Sequence, residues 1–444
     1  MYKCSGVCSE CGRCFIRNHA VKAAGLEPAV LLYPEDFEPE KTGDGFGVAL
    51  DIGTTTVAGT LWDLAKGVQL AAASELNPQI ECGRDVISRI AFCQKGNNNL
   101  DLLKGLIREC AGALIKSLCA KAGVSPEDVI RLTVCGNTTM SHIFAGYSPQ
   151  SLAMAPFEPA YKGEMTLTGT NLKLGINKNA EVILLPGIAS HVGGDITAGI
   201  DAVRLDRPER IEGDPSVVIF VDIGTNGEIV LSDEGRLFAC STAAGPAFEG
   251  GNISWGMRAA AGAIEEINIE GGYVTVKTID GEKALGICGS GLIDAAAKML
   301  DAGIIDETGK LTDTLYLDRD RIIYINQKDI RELQLAKSAI RAGIKALLNR
   351  AGRDESDINK IIVAGAFGNG INAKSALRIG LLPDVGEEKV FGAGNTAAAG
   401  AAMALVSRIE QKRINCIADL VQHVELATDS AFQELFMDYI NFTS

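Results

Sequence analysis

The stretch GVALDIGTTTVAGTLWDL, residues 47–64, consists of an apolar run, a short polar turn and a second apolar run. A near-copy, VVIFVDIGTNGEIVL, occupies residues 217–231, so that Asp222 follows Asp51 by 171 positions. Each copy predicts a strand, a tight turn and a second strand. Because a repeated supersecondary unit indicates two related halves, we expect an α/β protein whose halves face a shared cleft.

The turn of the first copy carries groups that suit phosphate and Mg2+. Asp51 lies at the end of the apolar run, where a carboxylate can hold a hydrated Mg2+. Backbone N–H groups and hydroxyls for phosphate oxygens come from the residues that follow, Gly53, Thr54, Thr55 and Thr56. A Walker loop would lead into a helix and carry Gly-Lys-Ser/Thr. An ordinary hairpin is the alternative for a single copy, and the second copy favours the phosphate site.

The second half offers two comparable turns. The second hairpin carries Asp222, Gly224, Thr225 and Asn226. A later strand, beginning at residue 360, ends in Gly365, Ala366, Phe367 and Gly368. Because three of these four residues are glycine or alanine, their backbone could lie directly against a base or a ribose.

Two further polar turns precede predicted helices in the first half. Asn137 lies in a Gly-Asn-Thr-Thr turn, which could face phosphates through free N–H groups or merely cap the helix. Asp195 precedes a helix predicted to begin near Ile196. This carboxylate could orient a hydrolytic water or Mg2+, although helix capping is the simpler interpretation.

Two late helices are predicted from their residue patterns. Residues 329–350 form a periodic helix with Ile330, Leu333 and Ile340 on one face, and we expect its Arg/Lys side in solvent. Residues 397–404 are small and apolar, which predicts a helix that packs closely against its neighbours.

The composition limits the classes of partner. The net charge of −14 argues against nucleic acid, since binding a phosphate backbone requires a surface rich in Lys and Arg. The N-terminus has no signal-peptide pattern, and the apolar run at residues 393–406 is too short to cross a bilayer. We therefore expect a cytoplasmic protein with reduced thiols.

Four of the twelve cysteines lie close together at the N-terminus: Cys4, Cys8, Cys11 and Cys14. Four thiolates at such short spacings can hold a 4Fe-4S cluster, and the bacterial ferredoxin spacing is this one reversed. Zinc is the main rival, and four unligated thiols are a further alternative. The first three cysteines also match the radical-SAM spacing, but the hairpins at Asp51 and Asp222 contradict the barrel that such enzymes need.

These features divide the chain into four predicted segments. Residues 1–25 form a cluster-binding head, and residues 26–46, rich in Pro and acidic side chains, form a semi-extended linker that lets the head move. Residues 47–205 form the first half of an ATPase body. Residues 206–444 form its second half.

The hairpins, the two Gly/Asn turns that open predicted helices (Gly136-Asn137 and Gly394-Asn395) and the Gly365 turn together resemble the acetate and sugar kinase, heat-shock chaperone and actin superfamily. That resemblance covers about residues 47–406 and implies two ribonuclease-H-like halves around an ATP cleft. Longer strings are similar to those of the reductive activators of corrinoid-dependent enzymes, which are ATP-dependent iron-sulfur proteins: GNTTM at 136–140, HVGGDITAGI at 191–200, AGPAFEGGNISWGM at 244–257 and DIRELQLAKSAIRAGI at 329–344.

The family resemblance implies that ATP drives an electron from the cluster to Co(II) of a partner corrinoid protein, giving Co(I). It implies phosphate and Mg2+ binding at the Asp51 and Asp222 hairpins and adenosine binding at Gly365, Phe367 and Gly368. It also implies an upstream reductant such as ferredoxin or flavodoxin, and a homodimer.

Other functions remain open from the sequence. One is an electron donor to another low-potential metalloenzyme, comparable to the activators of 2-hydroxyacyl-CoA dehydratases. Another is a small-molecule kinase with a zinc head, and a third is an ATP-switched binding protein.

Overall fold

The computed structural model describes residues 16–18, 31–211, 213, 216–365 and 370–442, the first three by their backbone alone. These residues fall into two compact units. The first unit runs to Ile211 and includes Asn395–His423, and the second contains the residues from there to Gly394 and from Val424 onward. Within the described part of the chain, no helix is long and apolar enough to cross a membrane.

The described residues form both strands and helices along the chain. The strands are β1 Ile16–Asn18, β2 Leu32–Pro34, β3 Phe46–Ile52, β4 Thr56–Asp63, β5 Val68–Leu76, β6 Val129–Gly136, β7 Met165–Thr168, β8 Glu181–Leu184, β9 Val217–Ile223, β10 Gly227–Asp233, β11 Arg236–Thr242, β12 Ala263–Glu270, β13 Tyr273–Thr278, β14 Gly286–Ile287, β15 Leu315–Tyr316, β16 Tyr324–Ile325, β17 Lys360–Ala364, β18 Val390–Gly394 and β19 Gln422–His423. The α-helices are α1 Val86–Gln94, α2 Asn99–Ala122, α3 Thr138–Ala145, α4 Gly169–Leu172, α5 Gly194–Ala202, α6 Gly289–Asp301, α7 Gln327–Ala351, α8 Ala373–Arg378, α9 Thr396–Val406, α10 Arg408–Leu420 and α11 Ser430–Asp438.

The first unit is built on a sheet with the strand order β5-β4-β3-β6-β8-β7. Strand β3 pairs antiparallel with β4 and parallel with β6. Its side chains are buried on both faces, because Val48 and Leu50 pack in a cluster with α2 whereas Ala49 packs in a cluster with α9. The hairpin closes where the Gly53 N–H donates to the Thr56 carbonyl at 2.9 Å, which confirms the predicted strand, turn and strand.

The second unit repeats this local plan. Its central sheet contains β18, β17, β9, β10 and β11 in that order. Strand β9 pairs antiparallel with β10 and parallel with β17, as β3 does with β4 and β6. The prediction of two related α/β halves is therefore confirmed.

The C-terminal helices α9 and α10 belong to the first unit, whereas the sequence had placed all of residues 206–444 in the second half. Helix α9 packs against β3, β6 and α5. A Cβ atom added at Gly400 of α9 would lie 2.0 Å from the Ala198 carbonyl oxygen of α5. The small residues of α9 thus allow the chain to return to the first unit, a long-range contact that no local pattern reveals.

Residues 31–46, which we call the strap, are packed onto the first unit. The Tyr33 side chain is only 3% exposed and stacks edge-on against Trp62. The Asp36 carboxylate pairs with the buried Arg204 at 2.9 Å. The Glu40 N–H donates to the Val406 carbonyl at 2.8 Å. This part of the expected linker is therefore a fixed part of the first unit.

Helix α7 confirms its predicted apolar face and corrects the expectation for its basic side. Ile330, Leu333 and Ile340 are all buried. However, Lys337 and Arg341 are buried too, at 0% and 6% exposed. They contact the C-terminal end of the second unit, which comes from a distant part of the sequence.

The buried Lys337 predicts a pH dependence of stability. Burial, helped by the positive charge of Arg341, lowers the pKa of Lys337 from 10.5 to about 7. The folded protein therefore binds the Lys337 proton less readily than the unfolded chain does. The buried positive charge destabilises the folded state fully below pH ~7, and this destabilisation disappears above pH ~10.5, where Lys337 is neutral in both states. The free energy of unfolding is expected to rise by about 1–3 kcal/mol between pH 7 and pH 9.5 from this group.

Urea unfolding of wild type and Lys337→Met at these two pH values measures that contribution. We expect Lys337→Met to lose the rise, and Lys328→Met, at an exposed position of the same helix, to keep it. An equal rise in wild type and Lys337→Met would refute the prediction.

Candidate functional site

Asp51 of β3 is held between two side chains of the first unit. The Asn395 amide donates to Asp51 Oδ2 at 2.8 Å, and the Cys135 thiol lies 3.8 Å from Oδ1. Burial raises the pKa of Asp51 to about 6, and the contacts with Asn395 and Cys135 oppose this rise. The carboxylate is therefore partly desolvated but supplied with donors, which suits a group that meets a cation.

The turn after Asp51 is fixed by its own backbone and by two neighbouring side chains. A Cβ atom at Gly53 would lie 2.7 Å from the Thr56 carbonyl oxygen, so this tight turn requires glycine. The Asn137 amide donates to Thr54 Oγ1 at 3.0 Å. Arg89, which is fully buried, donates to the Thr54 carbonyl. The hydroxyls of the turn are thus presented on a rigid backbone.

Asn137 caps helix α3, because its Oδ1 accepts from the Met140 N–H at 2.9 Å. The capping interpretation of Asn137 is therefore confirmed. Its amide also reaches the turn at Thr54, so the residue lies beside the candidate phosphate groups as well. The direct contact of Asn137 with phosphate remains a prediction.

Asp195 lies in the first turn of α5 and does not cap it. The helix begins at Gly194, earlier than expected, and Gly193 takes the N-cap position. Glycine is needed there because a Cβ atom would lie 2.6 Å from the Asn137 Cα. Burial is the main cause that raises the pKa of Cys135, and the negative charges of Asp51 and Asp195 raise it further. Because Gly193 approaches Asn137 this closely, the first turn of α5, which carries Asp195, lies beside the Asn137 turn that contacts Thr54.

The second unit brings together Asp222 and Gly365 of the predicted set. Asp222 pairs in register with Ala364 of β17. A Cβ atom at Gly365, whose φ is +101°, would lie 2.8 Å from Asp222 Oδ1. In the β9–β10 turn the Gly224 N–H donates to the Asn226 carbonyl at 2.9 Å, and the Thr225 hydroxyl donates to Glu249.

The other predicted residues lie outside the described part of the chain. They are Ala366, Phe367 and Gly368 of the adenosine turn and Cys4, Cys8, Cys11 and Cys14 of the head. Among the residues that the structure does describe, no group of three His, Cys, Asp or Glu side chains is arranged to hold a metal ion.

The Asp51 group fits Mg2+ carried by a phosphorylated ligand. Mg2+ keeps several waters and is bound through one or two carboxylates together with substrate phosphates. The Asp51 carboxylate would be one such ligand, and the hydroxyls of Thr54 and Thr55 follow it in the same turn, where they would be available to phosphate oxygens. The residues present therefore fit a Mg2+–nucleotide group.

Sequence reasoning missed Asn395, Arg89 and Cys135 as members of this site. Asn395 lies 344 positions from Asp51. The Gly-Asn pair that opens α9 was visible in the sequence, but its target was not. Arg89 gave no signal, because it follows an ordinary helix start.

Comparison with known proteins agrees with this geometry. Residues 46–208 match the family described as "RACo middle region", and residues 216–444 match the family described as "C-terminal domain of RACo the ASKHA domain". The chain belongs to the RACo family. The first matched region contains the hairpin at Asp51 and the second contains the hairpin at Asp222.

Three similar proteins have names that refer to corrinoid activation or reduction. The "Corrinoid activation enzyme RamQ" of Eubacterium limosum is 36% identical over 90% of this chain and 71% of its own length. The "[Co(II) methylated amine-specific corrinoid protein] reductase" of Methanosarcina barkeri is 27% identical over 89% of this chain and 77% of its own length. The solved structure of a "Reductive activator for corrinoid,iron-sulfur protein" is 36% identical, with a TM-score of 0.82 over 90% of this chain. This chain spans 66% of that structure's chain, just under two thirds.

Proposed function

We propose that this protein is an ATP-dependent reductive activator that reduces the Co(II) of a corrinoid protein to Co(I). The observation that carries the proposal is the match of both hairpin-bearing regions to the RACo family, together with relatives named for corrinoid activation and Co(II) reduction. The four-cysteine sequence ahead of these regions supports a redox role.

In the first unit, we propose that Asp51 binds the nucleotide's Mg2+ and that Gly53, Thr54 and Thr55 bind phosphate oxygens. Thr56 lies at the end of the same turn, and Asn137 contacts the turn at Thr54. We assign both residues a supporting role in phosphate binding. Bound Mg2+ would neutralise phosphate charge during hydrolysis. We propose that Asp195 orients the attacking water.

In the second unit, we propose that Asp222 has the same cation-binding role as Asp51. Gly224, Thr225 and Asn226 would then bind phosphate through their turn. The close approach of Gly365 to Asp222 supports adenosine binding beside this hairpin, and we propose that Ala366, Phe367 and Gly368, which follow Gly365 in the sequence, contribute to it.

For the redox step, we propose that Cys4, Cys8, Cys11 and Cys14 hold one 4Fe-4S cluster. Such a cluster supplies one electron at low potential. One electron leaves the protein and Co(II) gains it, and a reductant of the ferredoxin or flavodoxin class restores the electron. Each ~1.4 kcal/mol of free energy that ATP supplies offsets ~59 mV of unfavourable difference in reduction potential for a one-electron transfer. We further propose a cytoplasmic homodimer.

The test uses the anaerobically purified and reduced protein, ATP and a Co(II) corrinoid protein. We expect the Co(I) absorbance to appear with ATP, and to stay absent without ATP or with a non-hydrolysable analogue. No Co(I) with several corrinoid proteins would contradict the proposal. One zinc and no iron per chain would instead support a kinase with a structural zinc head.

A further inference from the structure

Three asparagines of the first unit share a double role around the turn at residues 51–56. Each caps a helix with its side-chain oxygen and directs its amide to the turn. Asn77 accepts from the Gln79 N–H at 3.0 Å and donates to the Gly53 carbonyl at 2.9 Å. The Asn137 oxygen caps α3 by accepting from the Met140 N–H, and its amide donates to Thr54 Oγ1.

Asn395 is the member of this set that meets the carboxylate. Its Oδ1 accepts from the Ala398 N–H at 2.8 Å, and its Nδ2 donates to Asp51 Oδ2 at 2.8 Å. Since a side-chain amide has one accepting and one donating end, the cap at Ala398 determines that the donor faces Asp51. Helix α9 is buried along its length, so the donor has a fixed position.

We propose that Asn395 is a positioning residue: its amide holds the Asp51 carboxylate in the orientation that binds the nucleotide's Mg2+, while Asn77 and Asn137 hold the remainder of the turn. This inference rests on the proposed nucleotide role of Asp51. A charge-assisted hydrogen bond from a buried helix restricts rotation of the carboxylate, and small errors of placement strongly reduce rates.

Substitutions at Asn395 can separate capping from positioning. Serine and aspartate are both good N-caps, so Asn395→Ser and Asn395→Asp keep the contact with Ala398 while removing the amide donor. Asn395→Asp also places a second carboxyl group beside Asp51. We expect ATP turnover to fall about tenfold in Asn395→Ser, and further in Asn395→Asp, and KM for the Mg2+–ATP complex to rise in both. The melting temperatures should match wild type.

A binding measurement provides a readout that is independent of turnover. Calorimetry with a non-hydrolysable ATP analogue should show that Asn395→Ser weakens binding of the Mg2+ complex and leaves binding of the Mg2+-free analogue unchanged. The matched control is Asn326→Ser, which makes the same exchange at the cap of α7, where the amide donates to Ser254 Oγ at 2.8 Å. This control should behave as wild type in every measurement.

The proposal is overturned if Asn395→Ser and Asn395→Asp turn over ATP like wild type. It is also overturned if turnover falls only in parallel with the melting temperature, as a purely capping role would require. Wild-type protein that neither binds nor hydrolyses ATP would contradict the proposed function itself, which is a separate outcome.

Discussion

Cys11→Ser is expected to lose Co(II) reduction by more than about 100-fold while ATP hydrolysis continues. The physical reason is that a cubane cluster needs four thiolates and a serine hydroxyl is a poor substitute for one of them. Cys11 precedes both regions that match the RACo family, whereas the hairpins that we assign to ATP lie within them. Iron content, Co(I) absorbance and phosphate release measured on the same sample test this separation.

Cys416→Ser is the matched control for Cys11→Ser. Cys416 is an exposed free thiol on α10, so its loss should change neither iron content nor reduction. Asp222→Ala provides the complementary variant, which should keep its iron and lose ATP hydrolysis. Full Co(II) reduction by Cys11→Ser would refute the assignment of the cluster to the four N-terminal cysteines.

Gly400→Ala is expected to destabilise the first unit by about 3 kcal/mol or more. The new Cβ atom would lie 2.0 Å from the Ala198 carbonyl oxygen and 2.8 Å from the Ala198 Cα. These are backbone atoms of α5, so no side-chain rotation can relieve the overlap. Chemical unfolding monitored by circular dichroism measures the loss.

Gly105→Ala is the matched control for Gly400→Ala, because Gly105 also lies in a helix interior but has no atom within 4 Å of an added Cβ. Alanine favours a helix over glycine by about 1 kcal/mol, so this control should be neutral or stabilising. Similar stability changes in the two variants would show that α9 and α5 do not pack as closely as the structure indicates.

The sequence predicted the hairpins well because their signals are local. Alternating apolar residues and a Gly-containing turn specify both copies without information from elsewhere in the chain. The errors fell where distant segments meet. The basic side of α7 is covered by the C-terminal end of the second unit, and the strap at residues 31–46 packs beside Val406. Neither contact can be predicted from the apolar and polar pattern of the neighbouring residues, because the contacting segments are far apart in the sequence.

The candidate site divides in the same way. Asp51, Thr54 and Asn137 were predicted because they stand in recognisable turns, and the structure places them together. Asn395 was not predicted, since its role depends on which strand α9 lies against. For Asp195, capping of α5 was the simpler of two interpretations, but the close approach of the Asn137 turn requires glycine at the N-cap, Gly193, so Asp195 lies in the first turn of the helix instead. Its role in orienting water or Mg2+ stays a prediction.

Helix α9 connects the turn that follows Asp51 to the strap. The side-chain amide of its N-cap residue, Asn395, donates to Asp51, and the carbonyl of its last residue, Val406, accepts from the Glu40 N–H of the strap. The Glu40 carboxylate also accepts from the Ser407 hydroxyl at 2.7 Å. Eleven helical residues form a rod about 16 Å long. A displacement of α9 along its axis at the Asp51 turn would therefore also displace the strap, the segment that follows the four N-terminal cysteines in the sequence.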